Sequence, residues 1–162
     1  MSFDAAVAFV LEREGGLVDD PRDPGRITNF GISERAFPGE DIRRMTKARA
    51  IQLYKSHYWD ACRCSELPAA VALAVFDAAV NQGVGVASRL LQKALVLAED
   101  GVIGPATMGA ARASRPDEIV TRMVVARWDR YQHTANAATY LRGWTHRLFR
   151  LQAECLGLQG AA

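Results

Sequence analysis

The run from Leu67 to Asn81, LPAAVALAVFDAAVN, limits the fold more than any other part of the chain. Proline in a first turn opens a helix, because its missing N–H would have had no partner there and its φ already suits the helix. Val71, Ala72, Val75, Phe76, Ala79 and Val80 then make that helix apolar around most of its circumference. A helix with so little polar face is buried, and others pack around it. The expected architecture is therefore all-α, with helices packed around a buried central helix near residues 68–82. Asp77 and Asn81 are its polar exceptions, four apart and on one face. Either they satisfy buried backbone or they line the floor of a cleft.

The rest of the chain supplies the surrounding helices. Phe3, Ala6, Val7, Val10 and Leu11 recur at helical spacing, with Ser2 as N-cap and Gly15–Gly16 as the stop. Ser33 can cap a short helix ending before Pro38–Gly39. Thr46 can cap a longer one running through Ala48, Ile51, Tyr54 and Tyr58. The rings of Tyr54, Tyr58 and Trp59 fit burial in a small core more readily than stacking on a sugar. After the Gly83–Gly85 break, Ala87, Leu90, Leu91, Ala94 and Leu95 mark another amphipathic helix. Asp100–Gly101 reads as a turn, and Pro105 and Pro116 as helix starters, with Asn136 near the end of the helix that Pro116 opens. A last helix carries Tyr140, Trp144, Leu148 and Leu151. Only a short ribbon around Ile27–Ile32 has any β-like character.

The length of 162 residues fits one domain with a real core, and 49% apolar with 23% charged residues is ordinary for a globular chain. The net charge of +2 argues neither for nor against a polyanionic partner. Its distribution is less even: residues 1–80 hold 10 basic and 12 acidic side chains, residues 81–162 hold 10 and 6. A basic second half suits an anionic polymer, and equally suits a solvated helix surface. No basic stripe or motif points to nucleic acid. Cys62, Cys64 and Cys155 make an odd count without CxxC spacing or zinc-ligand histidines, so they read as reduced structural thiols and no metal or other cofactor is expected. The apolar run Ala5–Leu11 lacks a basic leader and no segment reaches membrane-spanning length, so the expectation is synthesis in the cytoplasm without membrane insertion.

The chemistry concentrates between Glu12 and Ser33, EREGGLVDDPRDPGRITNFGIS. Gly15–Gly16 ends the first helix, and Glu14, Asp19, Asp20 and Asp23 follow among Pro21, Pro24, Gly25 and Gly31, which rule out regular helix or central strand. Glu14 falls at the negative end of the helix macrodipole, beside Glu12. Like charge, dipole and partial burial all raise its pKa, with Arg13 opposing. A carboxyl so placed can keep its proton at neutral pH and act as a general acid.

EGG, DDPRDPG and TNFGI in this order resemble glycoside hydrolase family 108, the phage endolysins and bacterial secretion activator proteins that cleave peptidoglycan as N-acetylmuramidases. The similarity continues through DIRRMT, YKSHYWD, FDAAVNQG, LQKAL, DGVIGPAT and the GW near the C-terminus. Leu17 stands where the family has an aromatic residue, and Arg26 where it has a second glycine. The resemblance implies a lysozyme-like fold, a glycoside hydrolase region over residues 1–85, and a helical peptidoglycan-binding-like region over 86–162 integrated with it.

The resemblance also implies a set of roles. Glu14 is the general acid, and Asp23, nine positions on, and Thr28, five beyond, are similar to the Asp and Thr that hold water in phage-type lysozymes, with the Thr one residue early. Asp19 or Asp20 can take the place of Asp23. Asp20, Asn29, Tyr58 and Asn81 are the candidate substrate contacts. The implied partners are peptidoglycan glycan strands, and a holin or secretion machinery that carries the protein to the wall in the periplasm. The competing reading is a non-catalytic peptidoglycan-binding accessory protein for secretion, which has no use for an acid at Glu14.

Overall fold

The computed structural model describes residues 1–12, 17–19 and 27–158. Along the chain run α1 (Phe3–Leu11), β1 (Val18–Asp19), β2 (Ile27–Asn29), β3 (Ile32–Ser33), a 3-10 turn (Ile42–Arg44), α2 (Lys47–Tyr54), a π-helical segment (Lys55–Trp59) and a second 3-10 turn (Cys64–Glu66). Then follow α3 (Ala69–Gln82), α4 (Val84–Ala94), α5 (Pro105–Ala113), α6 (Pro116–Gln132) and α7 (Ala137–Gly157). The architecture is mostly α and lysozyme-like, with a small antiparallel sheet in the order β1-β2-β3.

Helix α3 is the hub. Every residue from Ala70 to Ala79 is buried, and α1, α4, α6 and α7 all pack on it. Its many alanines let neighbours approach closely; the Cys155 thiol of α7 reaches the Ala70 carbonyl at 3.3 Å. Gly83, at φ 89, makes the break to α4 in a conformation that L side chains rarely adopt. All three cysteines are free and buried. Burial pushes the Cys155 thiol up to about 12, so it stays protonated.

Local capping follows the expected chemistry at several points. Ser2 accepts from the Ala5 N–H at 3.3 Å, and Thr46 from the Arg49 N–H at 3.2 Å. Ser33 does accept from Ala36, but no helix follows it. Phe37 precedes Pro38, whose ring disfavours helical backbone there, so the segment stops after one turn. Helix α6 ends at Gln132, and Asn136 instead stands at the N-cap of α7.

The larger departure lies at the end of α2. Helical periodicity carries Tyr54 to Tyr58, yet Tyr54 and Trp59 are the residues that become buried, at 0% and 2% exposure. An i→i+5 bond from the Asp60 N–H to the Lys55 carbonyl, 2.8 Å, marks the wider π turn that allows this. Trp59 then stands edge-on to Phe3 of α1 and Phe76 of α3, with centroids 5.6 and 5.4 Å away.

Candidate active site

Helix α1 leads into the acidic segment, and the β-ribbon belongs to it, with Asp19 in β1. Helix α1 ends at the C-cap Glu12, whose N–H bonds the Ala8 carbonyl at 3.0 Å. Glu14, Asp20 and Asp23, like Arg26, lie outside the described residues. Leu17, at the position where the family carries an aromatic residue, is exposed.

Thr28 sits at the centre of β2, half-buried, with Val18 of β1 opposite on one side and Ser33 of β3 on the other. Strand alternation sends the next side chain, Asn29, to the opposite face. Asn29 is buried there, and its Nδ2 donates to the Ile42 carbonyl at 3.2 Å, tying the ribbon to the first 3-10 turn. Its bond is thus to backbone within the fold.

The turn joining β2 to β3 has positive φ at both central residues, 49° at Phe30 and 73° at Gly31. That is what a two-residue I′ hairpin turn requires, and it matches the right-handed twist of the strands. Gly31 adopts it freely; Phe30 does not, and Asn or Gly is the usual occupant. The Tyr54 hydroxyl donates to the Phe30 carbonyl at 2.9 Å and so closes the turn onto α2.

Tyr58 is half-buried beside this anchor, its ring 5.8 Å from that of Tyr54 and 6.2 Å from Phe37. His57 is exposed, edge-on to Phe37 at 5.0 Å, with the Ser56 hydroxyl 2.8 Å from its Nδ1. Thr28, Asn29 and Tyr58 are therefore joined through Tyr54. Asn81 is exposed at the end of α3, where its Nδ2 donates to the Asp77 carbonyl at 2.7 Å.

Asp77 has a different environment. It is fully buried and meets two arginines: Arg127 of α6 through Nη1 at 2.7 Å, and Arg147 of α7 through Nε at 3.0 Å and Nη2 at 2.8 Å. Burial pushes the Asp77 carboxyl up, but the two guanidiniums outweigh it and hold its pKa below the ordinary aspartate value. Arg127 also donates to the Tyr131 hydroxyl at 3.1 Å. Sequence reasoning missed both arginines. A lone carboxylate inside an apolar helix was the available signal that a buried cation had to face it.

A groove of about 270 Å³ lies between the end of α1 and α7, lined by Phe9, Glu12, Arg150, Ala153 and Glu154. Among the described residues, no three His, Cys, Asp or Glu side chains stand together as a metal site would require. No helix among them is long and apolar enough to cross a membrane.

Comparison with known proteins gives the frame a family. Residues 7–83 match the family model described as Glycosyl hydrolase 108, and residues 86–149 match that described as Predicted Peptidoglycan domain. The solved structure titled "Structure of Brucella abortus SagA" is 34% identical, covering 96% of this chain and 94% of that one, with a TM-score of 0.90. A search of curated proteins finds no match. This chain belongs to glycosyl hydrolase family 108, carries a peptidoglycan-binding region after its glycosidase region, and is a glycosidase that acts on peptidoglycan.

Proposed function

We propose that the protein hydrolyses the β-1,4 bond between N-acetylmuramic acid and N-acetylglucosamine, with Glu14 as the acid that protonates the departing oxygen. Asp23 holds the attacking water and Thr28 helps to orient it. Asp20, Asn29, Tyr58 and Asn81 are the proposed glycan contacts, of which Tyr58 offers a partly open ring. The observation that carries this reading is the anchored hairpin: Thr28 sits in a central strand locked to the core at Asn29 and Phe30, on the element that follows the acidic segment. A water-positioning hydroxyl needs that kind of rigidity, since small displacements cost large factors in rate.

Two carboxyls that admit a water between them stand about 6.5–9.5 Å apart and give inversion at the anomeric carbon. Polarimetry or NMR of the first product formed reads that outcome directly. The proposal extends to the setting: the protein acts on the wall in the periplasm, with a holin or secretion machinery providing passage.

Glu14→Gln is the deciding variant. It should abolish clearing of purified peptidoglycan while circular dichroism shows an intact fold; clearing at the wild-type rate would end the acid assignment. Mass spectrometry of the digest tests the bond. Reducing-end N-acetylmuramic acid is expected, whereas reducing-end N-acetylglucosamine or an anhydro sugar would replace this reaction with another.

A further inference from the structure

The two elements that carry the proposed chemistry rest on one short segment. Tyr54, the last residue of α2, is fully buried and donates to the Phe30 carbonyl at 2.9 Å, closing the turn of the hairpin that carries Thr28. Trp59, five residues on, packs against Phe3 of α1, the helix that leads into Glu14. The π turn between them lets both rings enter the core, and Phe76 of α3 backs each, at 6.3 Å from Tyr54 and 5.4 Å from Trp59. Rings five apart on an unbroken α-helix would point in well-separated directions. The π turn therefore sets how the hairpin sits relative to α1.

Phe30 makes the hydroxyl matter. At φ 49 a bulky L side chain is disfavoured, so the turn does not hold its own shape as Asn-Gly would. The carbonyl of that same residue is the one Tyr54 clasps. We infer that Tyr54 is a positioning residue for glycan cleavage: its hydroxyl latches the strained Phe30–Gly31 turn and so fixes the position of Thr28 relative to α1. The inference rests on the reading that the reaction runs between α1 and the hairpin.

The test is Tyr54→Phe in the full chain, which removes one oxygen and keeps the ring. Hydrogen exchange at the Glu34 amide, which closes the hairpin onto the Ile27 carbonyl at 2.9 Å, should quicken while amides of α3 stay unchanged. On soluble glycan fragments kcat should fall by about tenfold or more with KM nearly unchanged, as expected when a reacting group is displaced but binding is kept. Adding Phe30→Asn, which favours the left-handed turn by itself, should recover part of that loss.

An unchanged kcat overturns the inference even if the hairpin loosens. So does a loss that only tracks the folded fraction, or one that Phe30→Asn fails to relieve. Glu14→Gln measured alongside keeps the two ideas apart: retained activity there removes the acid assignment, while the exchange data and the split between kcat and KM still judge the latch.

Discussion

Val96 shows what a single backbone angle costs. Helix α4 ends with the Val96 N–H on the Lys93 carbonyl at 3.1 Å and the Leu97 N–H on the Gln92 carbonyl at 2.9 Å, the pair of bonds of a Schellman ending. Such an ending places its next residue in the left-handed region, here a β-branched valine at φ 58. Glycine is the usual occupant, and Val96 is 82% exposed, so its side chain buries little in return. Val96→Gly should therefore stabilise the protein by about 1 kcal/mol, raising the melting temperature by about 2–4 °C for a chain of this size. Thermal unfolding checks this, and a lower melting temperature would mean that glycine's extra freedom in the unfolded chain outweighs the strain. At the candidate site, Asp23→Asn should cut turnover at least as deeply as any change at Asp19 or Asp20. Unchanged kinetics would move the water-holding role to one of those neighbours. The caps at Ser2 and Thr46 were legible because capping uses atoms within three positions. The Tyr54 hydroxyl was not, because its acceptor lies 24 residues back in the chain.

At the scale of elements, the π segment and the loop between α4 and α5 follow the same logic. Both are held by side chains that leave their own element. Gln92, buried on α4, donates from Nε2 to Asp100 Oδ1 at 2.6 Å and to the Val102 carbonyl at 3.0 Å, and accepts from the Gly101 N–H at 2.8 Å. One amide thus pins the turn that delivers Pro105 to the start of α5. Gln92→Ala leaves the Val102 carbonyl and the Gly101 N–H without this partner, an expected loss of about 2 kcal/mol. A urea titration measures it; no change in midpoint would mean that water replaces the amide fully. DGVIGPAT reads as turn and helix start in the sequence, and so it folds. The neighbour that holds it could not be read, because Gln92 looks like any polar residue of an amphipathic helix. For the same reason the rings at positions 54, 58 and 59 revealed an aromatic anchor but not which of them would enter the core. An α period and a π period predict different faces, and tertiary packing selects between them.

The whole molecule turns on Asp77. It belongs to the helix that ends the glycosidase region, while Arg127 and Arg147 belong to the two helices that close the chain. A buried carboxylate bound to two buried or nearly buried guanidiniums couples the two halves, because neither partner can be left alone away from water. Asp77→Asn should destabilise the fold by about 3 kcal/mol or more, as removal of one member of a buried ionic group does. The pH dependence follows in sign. With the folded pKa held below the unfolded one, the stabilisation is fully present above the unfolded value of about 4 and is lost as pH falls through the depressed folded value. The free energy of unfolding measured between pH 7 and pH 3 should fall more steeply for the wild type than for Asp77→Asn; parallel curves would place the acid sensitivity elsewhere. Residues 1–85 alone should not fold stably, since they would expose this carboxylate and the apolar faces that α4, α6 and α7 cover. A cooperative melt of that fragment would show two separable units.

By itself the sequence determined most of the helices, the caps at Ser2 and Thr46, the break at Gly83, the burial of the central helix, the short ribbon and the family, because each is written in local spacing or in motif order, while the helix expected after Ser33 did not form. It also marked where the acids cluster. Only the tertiary structure decided that Trp59 rather than Tyr58 enters the core, that Tyr54 holds the Phe30 turn, and that Asp77 is claimed by arginines 50 and 70 positions away. Those choices depend on which surfaces meet. Burial raises the energy of any unpaired polar group enough that distant partners, once brought together, override what the local pattern prefers.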